Sequence, residues 1–284
     1  MAQLRPMRPD EAPEVHDLSV MTFEALDVSR GEEPPQRPDP VLARPRYRHL
    51  ATTDPDGAWV AEEDGVIVGA ALALRREDVW GLSLLIVRPD RQSTGIGGQL
   101  LARAHAYAEG ARGRVILASP DPRALRAYFR LGLELHPHVD AAGTPKGVHA
   151  PAGVRVGDAS DIPLTEAVDR AVRGAARGQD IAVMLEMRQT LLVAPERGYA
   201  VVNAHGALRV LAATDESAAT DLLRAVFARA TGEITVEWLT AKQQWAIAAA
   251  LEAGLELRTH MAGGVFTDGD VGPFTPYLPS GAFL

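Results

Sequence analysis

Residues 87–101 read VRPDRQSTGIGGQLL, a strand end and a proline followed by three glycines and a helical pattern. The first N–H groups of a helix have no partner inside it, and the helix dipole favours negative charge there. Glycines let an anion approach without a Cβ in the way, so this combination can hold a phosphate. Three templates compete. The P-loop needs a lysine after its glycines, and none follows here. The dinucleotide fingerprint needs GxGxxG opening the first βαβ unit, whereas Gly95-x-Gly97-Gly98 follows several apolar strand patterns. The third fits: Val87-Arg88-Pro89, then Gln92-x-x-Gly95-x-Gly97 running straight into a helix. Gln92, Ser93, Thr94, Gly95, Ile96, Gly97 and Gly98 would present successive backbone N–H groups to the anion.

The remaining chemistry is sparse. With no cysteine, thiolate nucleophiles, thiolate metal sites and disulfides are excluded. The strand WGLSLLIV (80–87) carries no carboxylate, and its Ser83 is a poor base at neutral pH. Glu62, Glu63 and Glu77 lie at strand ends or turns, where carboxylates are ordinarily solvated. His136 and His138 form HPH, and without cysteines or a helical HxxxH no metal site is expected. By periodicity alone, Tyr128 in PRALRAYFRL is one more aromatic on the apolar face of a helix.

The elements that must position these residues occur twice. LRPMRPDEAPE (4–14) and VRVGDASDIPL (154–164) align without gaps, Arg5 facing Arg155 and Glu11 facing Asp161, each a short strand, a turn and an acidic helix start. RLGLEL (130–135) and EAGLEL (252–257) each close a helix at glycine and begin a strand. A repeat on the order of 130–150 residues is a whole domain. The expected division is therefore 1–145 and 152–284, joined through the turn-rich AAGTPKGVHAPAG (141–153). In the first copy AWVAEEDG and VIVGAALALRR predict a hairpin with DG at its turn. GEEPPQRPDPVLARP (31–45) reads as a proline-rich, mobile stretch in which any helix begins near Pro40. Strands alternate with helices, so the class is mixed α/β.

With loop and order in place, the sequence resembles the GNAT acyl-CoA-dependent N-acyltransferases. The family's (Q/R)xxGx(G/A) loop stands as Gln92-x-x-Gly95-x-Gly97 after Val87-Arg88-Pro89, and its tyrosine four residues before a glycine stands as Tyr128 before Gly132. The match covers roughly residues 3–140. The resemblance implies two tandem GNAT folds and a loop that holds the pyrophosphate of acetyl-CoA or another acyl-CoA. It implies that backbone N–H groups of Ile86 and Val87 hold the thioester, and that Tyr128 protonates the leaving thiolate. It implies direct transfer to an amine, expected to be a primary amine of a small molecule. A non-catalytic acyl-CoA-binding sensor is the alternative.

The second copy departs from this pattern. Thr214-Asp215-Glu216-Ser217 stands where the loop would be, without glycine and with two carboxylates, and alignment of the GLEL segments puts Ala250 in place of Tyr128. This copy is expected to bind no acyl-CoA. The tail VGPFTPYLPSGAFL (271–284) carries large apolar residues and should pack on the protein.

Among the 284 residues 46% are hydrophobic and 23% charged, an ordinary globular balance, and the formal net charge of −8 argues against nucleic acid as a partner. That charge is mildly compatible with a cationic substrate. No apolar run predicts a membrane span, and the N-terminus lacks a signal h-region, so a cytoplasmic location is expected; a homodimer is compatible with the sequence.

Overall fold

The computed structural model describes residues 2–34, 37–259 and 263–284. The two aligned openings build the same device. After β1 (Gln3–Pro6), the carboxylate of Glu11 accepts the Arg8 backbone N–H at 2.8 Å and pairs with the Arg5 guanidinium at 2.6 Å, ending a 3-10 turn that leads into α1 (Ala12–Ser29). In the second repeat Asp161 accepts the Asp158 N–H at 3.1 Å and pairs with Arg155 at 2.5 Å. A carboxylate three residues after the cap satisfies a donor the turn would otherwise leave bare.

The first repeat continues with α2 (Pro40–Thr53), β2 (Ala58–Glu63), β3 (Val66–Arg76), β4 (Val79–Val87), α3 (Ile96–Ala106), β5 (Gly113–Ala118), α4 (Pro122–Arg130), β6 (Glu134–His136) and β7 (Val139–Gly143). Helix α2 starts at Pro40, capped by Asp39 on the Val41 N–H; residues 35 and 36 of the proline-rich stretch lie outside the described residues. The β2–β3 hairpin turns at Asp64 and Gly65, both at positive φ (50° and 78°), as a DG turn requires.

The second repeat runs β8 (Arg155–Val156), α5 (Ile162–Arg173), α6 (Gly178–Glu186), β9 (Thr190–Ala194), β10 (Gly198–Val202), β11 (Leu208–Ala213), α7 (Glu216–Arg229), β12 (Ile234–Leu239), α8 (Gln244–Glu252), β13 (Glu256–Arg258) and β14 (Gly264–Gly269), with a final β15 (Tyr277–Leu278). Element for element the repeats correspond, and the class is mixed α/β.

By contacts the chain forms two units, residues 1–75 with 80–111, and residues 76–79 with 112–284. In the first, the strand order is β1-β2-β3-β4. In the second lie three groups: β5-β14-β6, β8-β9-β10-β11-β15 and β12-β7-β13. Strand pairing thus crosses the linear division at 145–152. β14, from the second repeat, runs between β5 and β6, while β7, from the first, runs between β12 and β13. Ala141-Ala142-Gly143, expected to begin a linker, are strand residues of β7. The tail packs as expected: Phe274, Tyr277, Leu278, Phe283 and Leu284 are buried, and Arg177, itself fully buried, bonds the Tyr277 hydroxyl at 2.7 Å and the Leu284 oxygen. Among the described residues no helix is long and apolar enough to cross a membrane.

Candidate functional site

Strand β4 delivers the glycine loop. Its residues are buried except Leu85 and Val87, and the Arg88 N–H still bonds the Val68 carbonyl at 2.8 Å, so pairing with β3 runs one residue past the strand. Pro89 then opens a single 3-10 turn (Pro89–Arg91). The Gln92 side chain folds back and donates to the Val87 carbonyl at 3.0 Å, and the Thr94 hydroxyl donates to the Arg91 carbonyl at 2.7 Å. Both side chains are therefore braces of the loop.

The backbone does the presenting. Ser93 has φ 63° and Gly95, the residue before α3, φ 91°. Left-handed residues in such succession turn N–H groups into one concavity, which suits an anion. The N–H groups of Ser93, Thr94 and Gly95 have no acceptor among the described residues, and the first N–H groups of α3 add to them. Ser93, Thr94, Gly95 and Gly98 are exposed, whereas Ile96 is buried and anchors the helix start.

The glycines differ in their reasons. Gly95 is required by its φ. A Cβ on Gly97 would make an ordinary 3.5 Å contact with Val87, and one on Gly98 would meet nothing within 4 Å. Packing within the protein thus demands glycine at neither position, although each costs the helix about 1 kcal/mol against alanine. Open space of this kind over a helix start is a cradle that a close-lying anion fills. Gly69, which sequence reading passed over in VIVGAALAL, is the packing glycine: a Cβ there would stand 2.9 Å from Leu100 and 3.1 Å from the Ile86 carbonyl, so its absence lets α3 lie close over β3 and β4.

Local charges cancel. Arg88 pairs with Asp90 at 2.7 Å, and Arg91 with Glu63 at 2.9 Å and Asp90 at 3.0 Å. The Arg88 bond holds Asp90 below the usual carboxylate range. An anion here relies on the backbone N–H groups and the helix dipole.

Each glutamate that the sequence offers as a base is paired to an arginine. Glu62 pairs with Arg5 at 2.5 Å, Glu63 with Arg91, and Glu77 with Arg170 at 2.7 Å. At Ser83 the Arg46 guanidinium donates to both the hydroxyl and the carbonyl, each at 2.7 Å. A cation on its hydroxyl makes Ser83 a still poorer base. Arg46, from α2, is a residue that sequence reading missed, because nothing local ties it to a position 37 residues away.

The structure brings Ile86, Val87 and residues 92–98 together in the first unit. Tyr128 belongs to the second unit, on α4, buried and edge-to-face with Phe266 of β14 at 5.7 Å. Burial, with the Asp121 charge, raises its pKa far above the usual phenol value, so the hydroxyl keeps its proton at any physiological pH. His136 sits on β6 and bonds the Thr267 hydroxyl at 2.8 Å across to β14.

The second repeat has the same succession of strand and helix without the cradle. Asp215 caps α7 by accepting the Ala218 N–H at 2.9 Å and is paired with Arg197 at 2.6 Å. The strand-end N–H of Ala213, counterpart of Val87, is taken by the Pro276 carbonyl at 3.1 Å, and that of Thr214 by the Arg197 carbonyl at 2.8 Å. Strand β15 lies along this edge, Tyr277 opposite Ala212. Ala250, four residues before Gly254 as Tyr128 is before Gly132, is buried in the core of this repeat.

Residues 19–133 match the family model described as Acetyltransferase (GNAT) family. Among curated proteins no sequence match reaches significance. Among solved structures, a protein from Pyrococcus horikoshii with a proposed acetyltransferase assignment is similar over 100% of this chain and 96% of its own, at TM-score 0.79 and 14% identity. A GCN5-related N-acetyltransferase from Sphaerobacter thermophilus covers 94% of this chain and 95% of its own, at TM-score 0.59 and 16% identity. A tandem GNAT protein from the clavulanic acid biosynthesis pathway covers 95% and 98%, at TM-score 0.57 and 16% identity. At these identities the structural likeness is one of fold. Residues 19–133 thus match the GNAT acetyltransferase family, and the chain has the fold of tandem GNAT proteins along its length.

Proposed function

We propose that this protein is an acyl-CoA-dependent N-acyltransferase that uses the loop after β4, most simply transferring acetyl from acetyl-CoA to a primary amine of a small molecule. The carrying observation is the cradle itself: unpartnered N–H groups at residues 93–95 in front of α3, with room for a Cβ at Gly97 and open space over Gly98. The pyrophosphate of the acyl-CoA would lie against Ser93–Gly98, and the Ile86 and Val87 backbone at the strand end would hold the thioester. The ammonium first loses a proton to water and the neutral amine attacks the carbonyl carbon; as the carbon–sulfur bond breaks, the nitrogen gives a second proton to water and the thiolate takes one. Tyr128 is the proposed donor of that proton.

A second reading has its own observation. With Ser83 held by Arg46, and Glu62 and Glu63 each paired to an arginine, none of these described residues is a free base. That suits a protein that binds acyl-CoA and reports it without turnover. Calorimetric titration with acetyl-CoA, in the wild type and in Gly97→Glu, tests the shared part. The added carboxylate has room in the fold, so the melting temperature should stay within about 2 °C, while affinity should fall at least about a hundredfold as like charges meet. Unchanged affinity in that variant would falsify the loop assignment. Steady CoA release across a panel of small amines then separates enzyme from sensor.

A further inference from the structure

In the second unit the pairing of β12 with β7 breaks register between Val236, opposite Ala141, and Leu239, opposite Val139. Glu237 and Trp238 thus bulge against the single residue Asp140. Trp238 has φ 66°, a left-handed conformation rarely adopted by so bulky a residue, and its N–H is held by the Asp140 carboxylate at 3.1 Å. The indole packs on His138, ring centroids 4.7 Å apart and 46° between planes. His138 is 6% exposed, yet neither ring nitrogen has a hydrogen-bond partner among the described residues; Nδ1 is 3.2 Å from Asp140 but out of line. The Trp238 Nε1 is likewise buried and unpartnered. Strained backbone, orphaned buried polar atoms and crowded carboxylates in one place are the marks of a ligand site.

We propose that the bulged end of β12 and the start of β7 form a second ligand site, for a small organic ammonium ion carrying a hydrogen-bonding oxygen. The groups present select that chemistry. Asp140 and Glu237 place two carboxylates beside an aromatic pair, a setting for a cation. Glu237, opposite Asp140 in the bulge, is exposed to solvent. A neutral imidazole nitrogen accepts from an ammonium N–H, and the indole N–H needs an oxygen to donate to. An anion would meet both carboxylates, and among the described residues no cluster of histidine and acidic groups could hold a metal ion. The site is shared by β12 of the second repeat and the start of β7 of the first, within the second unit, and does not rest on the acyl-transfer reading.

The probe is 2-aminoethanol, followed by the indole N–H signals of 15N-labelled protein; the four tryptophans give four signals, and Trp238→Phe identifies the one from Trp238. The Trp238 signal should shift saturably, with a dissociation constant on the order of millimolar for so small a ligand. Propylamine, lacking the oxygen, should bind about fivefold more weakly, and ethylene glycol, lacking the charge, should not saturate. The isosteric Glu237→Gln should weaken 2-aminoethanol about tenfold, while Gly97→Glu should leave its binding unchanged even if acyl-CoA binding is lost. A Trp238 signal that moves only in proportion to concentration up to about 100 mM, or that moves alike with ethylene glycol, would mean hydrated nitrogens and no ligand site. Wild-type affinity in Glu237→Gln would equally overturn the proposal.

Discussion

At the scale of single residues, what a side chain could do is decided by what already holds it. Ser83 lies on the strand that leads into the glycine loop, and Arg46 donates to its hydroxyl at 2.7 Å. Ser83→Ala should therefore leave kcat/KM within about threefold, Arg46 keeping its bond to the Ser83 carbonyl. Tyr128 differs: its ring is packed on Phe266 and its hydroxyl remains protonated. Tyr128→Phe removes one oxygen and little volume. If the hydroxyl protonates the thiolate, kcat should fall roughly ten- to a thousandfold with acetyl-CoA affinity nearly unchanged. Wild-type kcat under chemistry-limited conditions would leave Tyr128 as a packing aromatic.

Among the elements, the opening strand-and-turn device is the clearest case of one local code used twice, and its two copies differ in environment. Glu11 is 4% exposed and serves Arg5 and the Arg8 N–H together, whereas the Arg155–Asp161 pair is more open, Arg155 being about half exposed. Glu11→Gln should cost about 2 kcal/mol, and Asp161→Asn about 1 kcal/mol or less, by urea denaturation at pH 7. The pH sign follows from Glu11. Burial alone would raise its pKa, but the bonds from Arg5 and Arg8 outweigh this and lower it below the unfolded value. Its contribution is present above the unfolded glutamate pKa of about 4.3 and disappears as pH falls through the lower folded value. The wild type and Glu11→Gln should therefore converge in stability toward about pH 3; a gap that widens on acidification would contradict this role.

For the whole molecule the exchanged strands matter most. β14 supplies both neighbours' partners in β5-β14-β6, pairing from Gly264–Ala118 to Gly269–Gly113 on one side and from Val265–His136 to Thr267–Glu134 on the other. A chain ended near residue 150 would leave β5 and β6 with bare facing edges, β7 without β12 and β13, and Phe266 gone from Tyr128. Such a fragment should be insoluble or should aggregate, measured by its yield in the supernatant and by light scattering. A soluble, fully active 1–150 fragment would overturn this. The intact chain should take up one acyl-CoA per protomer in calorimetry, since β15 already occupies the strand-end N–H of Ala213 and Asp215 caps α7. Two equivalent sites would overturn that.

The features written in the sequence are those encoded over short spans. The DG turn at Asp64-Gly65, the helix start near Pro40, the paired openings of the repeats and the glycine loop each depend on residues within a few positions of one another, so pattern and turn chemistry suffice to find them. Strand exchange is different in kind. Main-chain ladders are nearly blind to side-chain identity, Val139–Gly143 and Gly264–Gly269 are both short, and Ala141-Ala142-Gly143 has the composition of a linker, so nothing local marks which strands they join. Only three-dimensional packing settles that β14 joins β5, bringing together Arg114 and Asp268, 154 residues apart. The same holds for Arg46 on Ser83 and for β15 along β11. Each joins groups that no local pattern relates, and each decides whether a strand end that the sequence merely offers is free for a ligand or already taken by the protein.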